Sequence, residues 1–221
     1  MKDNIIELHV KSKLYRGKSS VVTALNDLTL AVSQAQTLAI VGESGIGKST
    51  LLNILGLLDR KFIGSYSLFG KDVFRLTDAE LAQWRNQKIG FVLQESALIN
   101  SLSIADNIAL PMLYAKQRKS EGRKRLLELT RSLGIESILD KKPLECSGGE
   151  KARAIFARAV ILKPQLILAD EPTASLDAEN AERILDLLLE LNKHHGATVI
   201  TVTHDSEIAS RHERLVELKR G

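Results

Sequence analysis

"TLAIVGESGIGKSTLLNIL", Thr37 to Leu55, joins a short apolar run to a glycine-rich turn and then to leucines at helical spacing. The turn is Gly42-Glu43-Ser44-Gly45-Ile46-Gly47-Lys48-Ser49-Thr50. It fills the phosphate-loop pattern: glycine, four residues, then Gly-Lys-Ser. Glycines let such a loop curl until successive N–H groups face inward at the start of the following helix, where an anion is favoured. Lys48 is then placed to reach β- and γ-phosphates, and the Ser49 hydroxyl to ligate Mg2+. The flanking strand and helix are the context this reading requires.

Working outward, "LILADEP" (Leu166–Pro172) is a second apolar run, ending in two acids. A strand there puts Asp170 and Glu171 at the carboxyl edge of a sheet, where doubly wound folds hold their ligands. Asp170 is the candidate for holding Mg2+ through water. Glu171 is the candidate general base, polarising a water for attack on the γ-phosphate. "ATVITVTH" (Ala197–His204) is a third such run, rich in β-branched residues. His204 at its end is placed to hydrogen-bond the γ-phosphate. His194 and His195 fall at a helix end and fit the charge preference there; His9 and His212 carry no functional signal.

The rest of the chain frames these segments. Ile6, Leu8 and Val10 alternate with Glu7, His9 and Lys11, the period of a half-buried strand. "TALNDLTLAV" continues in the same style, with Asn26-Asp27 as an expected turn. "DAELAQWRNQKI" predicts a helix capped by Asp78, followed by "GFVLQ" as a strand. From Ser101 to about Leu144 only helical patterns occur. "DAENAERILDLLLELNKHHG" predicts a long amphipathic helix capped by Asp177 and ending at Gly196. Strands alternating with helices argue for a buried, parallel sheet interrupted by an all-helical insertion.

The 221 residues are 44% hydrophobic, 26% charged and 4% aromatic, with a formal charge of +4. That is ordinary globular composition, leaning to helices on a parallel sheet over an all-β sandwich. The single cysteine, Cys146, excludes an internal disulfide framework and fits a reducing compartment. Neither a signal-peptide core nor a membrane-spanning run is present, so a cytosolic chain is expected. Basic residues thicken in "YAKQRKSEGRKRLLEL" (Tyr114–Leu129), read first as a solvated helix face. Contact with anionic headgroups comes next. Nucleic acid ranks last and is not an expected partner, because no aromatic residues interleave.

A second glycine turn remains. "LECSGGEKARAIFARAV" (Leu144–Val160) opens a helix with Ser147-Gly148-Gly149, built like an anion site although the chain already has one. Cys146-Ser147-Gly148-Gly149-Glu150 resembles the Leu-Ser-Gly-Gly-Gln signature of the ATP-binding-cassette (ABC) family. The family's other motifs stand in their expected order over essentially the whole chain. Tyr15 lies where an aromatic usually stacks on adenine, Gln94 matches the Q-loop, Ser175-Leu176-Asp177 resembles the D-loop, and His204 matches the switch histidine.

The resemblance implies ATP and Mg2+ as ligands, with Gln94 sensing Mg2+ and the attacking water. It also implies a head-to-tail pair with a second copy of the chain, in which each ATP is sandwiched. Ser147 and the Gly149 N–H then hold the γ-phosphate of the partner's ATP, and hydrolysis releases the shared ligand. The implied fold is α/β, with a P-loop NTPase core of mostly parallel sheet flanked by helices. An N-terminal antiparallel β subdomain and an inserted helical subdomain complete it. Residues 1–94 and 155–221 form the ATP-binding core, and 95–154 the helical subdomain with the signature.

Within that family, "GLLDRKFIGSYSLFGKDVFRLTDAELAQWRNQKIGFVLQESALINSLSIADNIALPMLYA" is similar to ATPases of lipoprotein release, macrolide and antimicrobial-peptide export, and cell division. These act on a membrane permease, which places the chain on the inner face of the cell membrane. Phe91, Glu95, Ser96, Leu98 and "SLSIADN" are the expected coupling surface. Two departures stand out: Glu150 replaces the frequent glutamine and Cys146 the usual leucine. The competing expectation is a soluble ABC ATPase acting on DNA, ribosomes or cluster assembly. The DNA-repair type carries a long coiled coil and the translation type two cassettes, and neither occurs here.

Overall fold

A computed structural model describes residues 3–17, 21–93, 98–115, 119–174 and 176–219. Two sheets organise it. The first is antiparallel, in the order β2 (Val21–Ser33), β1 (Asn4–Arg16), β4 (Ile63–Leu68), β5 (Lys71–Asp72). The second is parallel throughout, in the order β6 (Ile89–Leu93), β7 (Leu166–Asp170), β8 (Thr198–Val202), β3 (Thr37–Val41), β9 (Arg214–Glu217).

The parallel sheet is covered on both sides, as its continuous apolar strands require. Side chains alternate between faces along each strand. Leu38, Ile40, Leu166, Leu168, Ile200 and Val202 enter one core with Ile6, Leu8 and Val10 of the antiparallel sheet. Helices α1 (Lys48–Leu55) and α2 (Asp78–Gln87) close that side. Ile167, Ala169 and Val199 point to the other face. They share a second core with α3 (Ile104–Tyr114), α4 (Lys119–Ser132), α5 (Gly148–Val160) and α6 (Ala178–His195). A short α7 (Ser206–Ser210) precedes β9.

Three details differ from the sequence reading. Asn26-Asp27 is no turn: both residues lie inside β2, where Asp27 takes a left-handed φ of 45° without ending the strand. Aspartate tolerates that conformation better than most residues, so the same dipeptide that starts turns also serves a strand irregularity. Thr77, not Asp78, caps α2, in a capping box with Glu80 worth about 1 kcal/mol. Third, "SLSIADN" is surface only in part: Ser101 and Asp106 are exposed, but two of its members are interior. Ile104 and Asn107 are fully buried and Leu98 nearly so. Asn107 accepts from the Ile99 N–H at 2.7 Å and donates to the Ser103 and Ile99 carbonyls. It pins the loop ahead of α3 from within and is not a contact for another protein. Glu95 and Ser96 lie outside the described residues.

The basic stretch is also partly structural. Arg125 Nε donates to the Ile161 carbonyl at 2.8 Å, tying α4 to the end of α5.

Candidate nucleotide site

The loop 42–47 leaves β3 at its carboxyl end and delivers the chain into α1. Gly47 has φ 108°, and a Cβ there would collide with the Ala24 carbonyl of β2, so only glycine fits. It brings no side chain to cap α1, and the first turn holds no acid. The N–H groups at this helix end are therefore left to an outside anion. Lys48 folds back over the loop, its Nζ donating to the carbonyls of Gly42 (2.7 Å) and Glu43 (2.9 Å).

The acids come from the neighbouring strands. Asp170 pairs with Val202 across β7 and β8, and Ile40 of β3 pairs with Val202 from the other side. This register gathers three carboxyl ends at one point. Asp170 is raised above the usual carboxylate range by burial, against the hydrogen bond from Ser49 and the charge of Lys48; Glu171 adds to the rise. The contact with Ser49 joins the first turn of α1 to the end of β7.

Glu171 follows with φ 45°, a left-handed conformation costly for a non-glycine residue and held here by its N–H bond to Val202 (2.9 Å). The turn aims its carboxylate at His204, whose Nδ1 lies 2.8 Å from Oε1. A carboxylate only accepts, so Nδ1 carries the proton and Nε2 is left for another partner. Glu171 has a side chain only 14% exposed, whereas that of His204 is 72% exposed. A groove of about 390 Å3 runs from this pair past Thr173, Leu176 and Thr203.

Tyr15 stands at the end of β1, 43% exposed, its hydroxyl 3.4 Å from Thr50 Oγ1 in the first turn of α1. Ser49, Thr50 and Tyr15 thus border one surface with the loop. Gln94 lies outside the described residues, as does Ser175.

The second glycine turn is built differently. Ser147 caps α5, accepting from the Glu150 N–H (3.2 Å), and Glu150 accepts from the Ser147 N–H (2.7 Å). Glu150, the departure from the frequent glutamine, completes this box. Ser147 and Gly148 are exposed, while Gly149 is buried against the Asn180 side chain. Asn180 is held from two sides. It accepts from Arg153 Nη1 (2.9 Å) and donates to Asp177 Oδ2 (2.8 Å), while Asp177 caps α6. Gly149→Ala is therefore expected to lower stability despite alanine's better helix propensity. The new methyl collides with a clamped side chain, at about 1–3 kcal/mol, a fall of roughly 2–12 °C in melting temperature. Adding Asn180→Ala to Gly149→Ala should recover most of it in the same thermal scan. Cys146 is buried, with its thiol held up by burial, which suits packing and not reactivity.

The whole arrangement has known counterparts. The family model described as "ABC transporter" matches residues 25–174. The chain belongs to the ABC transporter family. Like other ABC cassettes it is an ATPase. It is 40% identical over 221 residues to the lipoprotein-releasing system ATP-binding protein LolD of Idiomarina loihiensis, covering all of this chain and 97% of that one. It is also 40% identical over 218 residues to the macrolide export ATP-binding/permease protein MacB of Mannheimia succiniciproducens. That match takes 99% of this chain but only 34% of MacB, so the chain spans about a third of that relative's length. Among solved structures, the dimeric post-hydrolysis state of the cassette MJ0796 bound to ADP and Pi superposes with TM-score 0.89 at 37% identity. It covers 97% of this chain and 94% of that one. The P-loop core, the antiparallel N-terminal sheet and the helical insertion are thus those of an ABC ATPase.

Of the residues singled out from the sequence, the structure gathers Lys48, Ser49, Thr50, Asp170, Glu171, His204 and Tyr15 around one strand-end surface. Ser147, Gly148 and Asp177 stand on the paired starts of α5 and α6. Sequence reading missed Lys13, Asp59, Asn180 and Arg153. A lysine at odd parity in an even-parity apolar strand was the signal for the first.

Proposed function

We propose that the chain is the ATP-hydrolysing subunit of a membrane transport complex and works as a head-to-tail pair of copies. The observation that carries this is the exposed cap of α5. Ser147 is satisfied within its own helix turn and open to solvent, on a different element from the loop that receives phosphates. A partner's γ-phosphate fits there, against the helix's positive end. MJ0796, the similar cassette, was solved as a dimer.

In this reading Gly42 through Thr50 cradle the phosphates and Tyr15 stacks on adenine. Ser147, Gly148 and Gly149 take the γ-phosphate of the other copy, with Asp177 beside them at the interface. Glu171 takes the proton of the attacking water, and His204, through its free Nε2, contacts the γ-phosphate. Lys48 leaves the loop carbonyls for the β- and γ-phosphate oxygens. Gln94, next after β6 in sequence, senses the water and metal. The donor set fits Mg2+: a hydroxyl and a single carboxylate already in contact, the sparse protein ligation this ion tolerates when phosphates complete its shell. Ser49 and Asp170 would hold it, Asp170 through water, and bound there it supplies charge for the β- and γ-phosphates. We assign 1–94 and 155–221 to the ATP-binding core and 95–154 to the helical subdomain.

The task we propose for the complex is export, extraction or force transmission on peptide, lipoprotein or antibiotic cargo, a reading that the relatives LolD and MacB support. Among the described residues no helix is long and apolar enough to cross a membrane. We assign the permease to a separate partner, through which the chain sits at the inner face of the membrane. The half-buried Phe91 and the exposed parts of residues 98–106 remain the surface we assign to that contact. An affinity-tagged chain should pellet with membranes and emerge from mild detergent in complex with a polytopic membrane protein. Recovery only with ribosomes or cluster-assembly proteins would refute the transport reading.

A further inference from the structure

Lys13 is 2% exposed, one of the few charged residues in the interior. A local irregularity puts it there. Ile6, Leu8 and Val10 face the core, but between Val10 and Ser12 the pairing of β1 with β4 slips by one residue. Gly64 on β4 allows the close approach, since a Cβ there would strike the His9 carbonyl. A one-residue bulge exchanges the faces of everything beyond it. Lys13 and Tyr15 therefore share one face of β1, Lys13 buried beneath it and Tyr15 exposed at its end.

Lys13 is held on all sides. Its Nζ lies 2.6 Å from Asp59 Oδ2 and donates to the Lys61 carbonyl at 2.9 Å. It also sits 4.6 Å from the centroid of the Tyr15 ring. Asp59 belongs to the segment just after α1. Its N–H donates to the Asn53 carbonyl of that helix (3.1 Å), and its Oδ1 accepts from the Lys61 N–H (2.8 Å). The Tyr15 hydroxyl lies 3.4 Å from Asp59 Oδ2 as well. Burial pushes the Asp59 carboxyl up, but the Lys13 bond, the Lys61 N–H and the Tyr15 hydroxyl outweigh it, and the group stays below the usual carboxylate range.

We propose that Lys13 is a positioning residue for the nucleotide's base: anchored by Asp59, its ammonium backs one face of the Tyr15 ring and fixes that ring as a platform, leaving the opposite face for adenine. The proposal rests on the assignment of Tyr15 to the base. Its physical content is that base recognition and phosphate recognition hang on the same helix, since Asp59 is bonded to α1 and the Tyr15 hydroxyl meets Thr50 on its first turn. A cation over a ring is attracted to the π-face and restricts its orientation. A platform held before binding loses less freedom when the base arrives.

Calorimetric titration of the full chain with Mg-ATP and with inorganic tripolyphosphate, which lacks a base, separates the roles. Tyr15→Ala should weaken ATP about tenfold and leave tripolyphosphate within about twofold. Lys13→Met should weaken ATP about three- to fivefold, again sparing tripolyphosphate. Parallel losses for both ligands would show Lys13 to be a structural support of the phosphate loop, and would overturn the proposal. So would an unchanged Lys13→Met beside a weakened Tyr15→Ala. If Tyr15→Ala itself changes neither ligand, the base assignment fails and the proposal with it. Should Lys13→Met not fold, Asp59→Asn keeps the side-chain shape and the Lys61 contact while releasing the ammonium, and its two affinities are read by the same criteria.

Discussion

Glu171→Gln is expected to cut ATP turnover by at least about 100-fold and to leave a lasting ATP-bound dimer. The amide keeps the size of the carboxylate and can still accept from His204 Nδ1, whose partner oxygen lies 2.8 Å away. The left-handed turn that aims residue 171 is a backbone property and survives the exchange. Only basicity is lost. With hydrolysis blocked, the γ-phosphate that joins two copies in the proposed head-to-tail pair is not removed, so association should outlive a gel-filtration run in ATP and Mg2+. Phosphate release within tenfold of the parent chain would exclude Glu171 as the base. A variant that neither turns over nor dimerises on its own should be repeated in detergent with the permease, which tells weak association from a wrong assignment.

Ser147→Arg is expected to abolish turnover to a similar degree while the ATP affinity of the monomer changes less than about twofold, a difference under 0.5 kcal/mol. The residue caps α5 on an exposed turn, so the long cation obstructs whatever approaches that helix end and leaves the chain's own loop 42–47 untouched. Arginine cannot replace the cap, and a stability loss of about 1 kcal/mol should appear in the melting curve. Equal loss of nucleotide affinity in the monomer would mean that the serine serves its own ATP, and the head-to-tail reading would fall.

The contrast between these sites explains what could be read from sequence. The phosphate loop is contiguous, and its requirements for glycine, lysine and hydroxyl are local, so Gly42–Thr50 were legible at once. Asp170, Glu171 and His204 were legible as ends of apolar runs. Their contact was not, because it depends on β7 and β8 being neighbours in register, and strand order is not written locally. The alternation of strands and helices gave the parallel sheet, whereas the antiparallel N-terminal sheet came only through family resemblance. Lys13 and Asp59 were missed because a bulge set by Gly64 decides which way β1 faces. Asn107 was placed on the coupling surface through family resemblance, and its bonds to the backbone ahead of α3 were invisible. Asn26-Asp27 misled for the opposite reason: good turn chemistry was used inside a strand.

Helix α5 carries a mechanical consequence. Its 13 residues make a rod of about 20 Å. At its head stand Ser147 and the glycines; toward its tail the Ala159 carbonyl presses so close to Gly90 of β6 that no side chain fits between them. Phe156 and Ala157 are meanwhile locked in the core shared with the parallel sheet. Such a lever has no slack. Any tug at the head of α5 arrives at the rim strand of the sheet, and whatever leans on that strand is felt at the turn we propose as the meeting point of two cassettes.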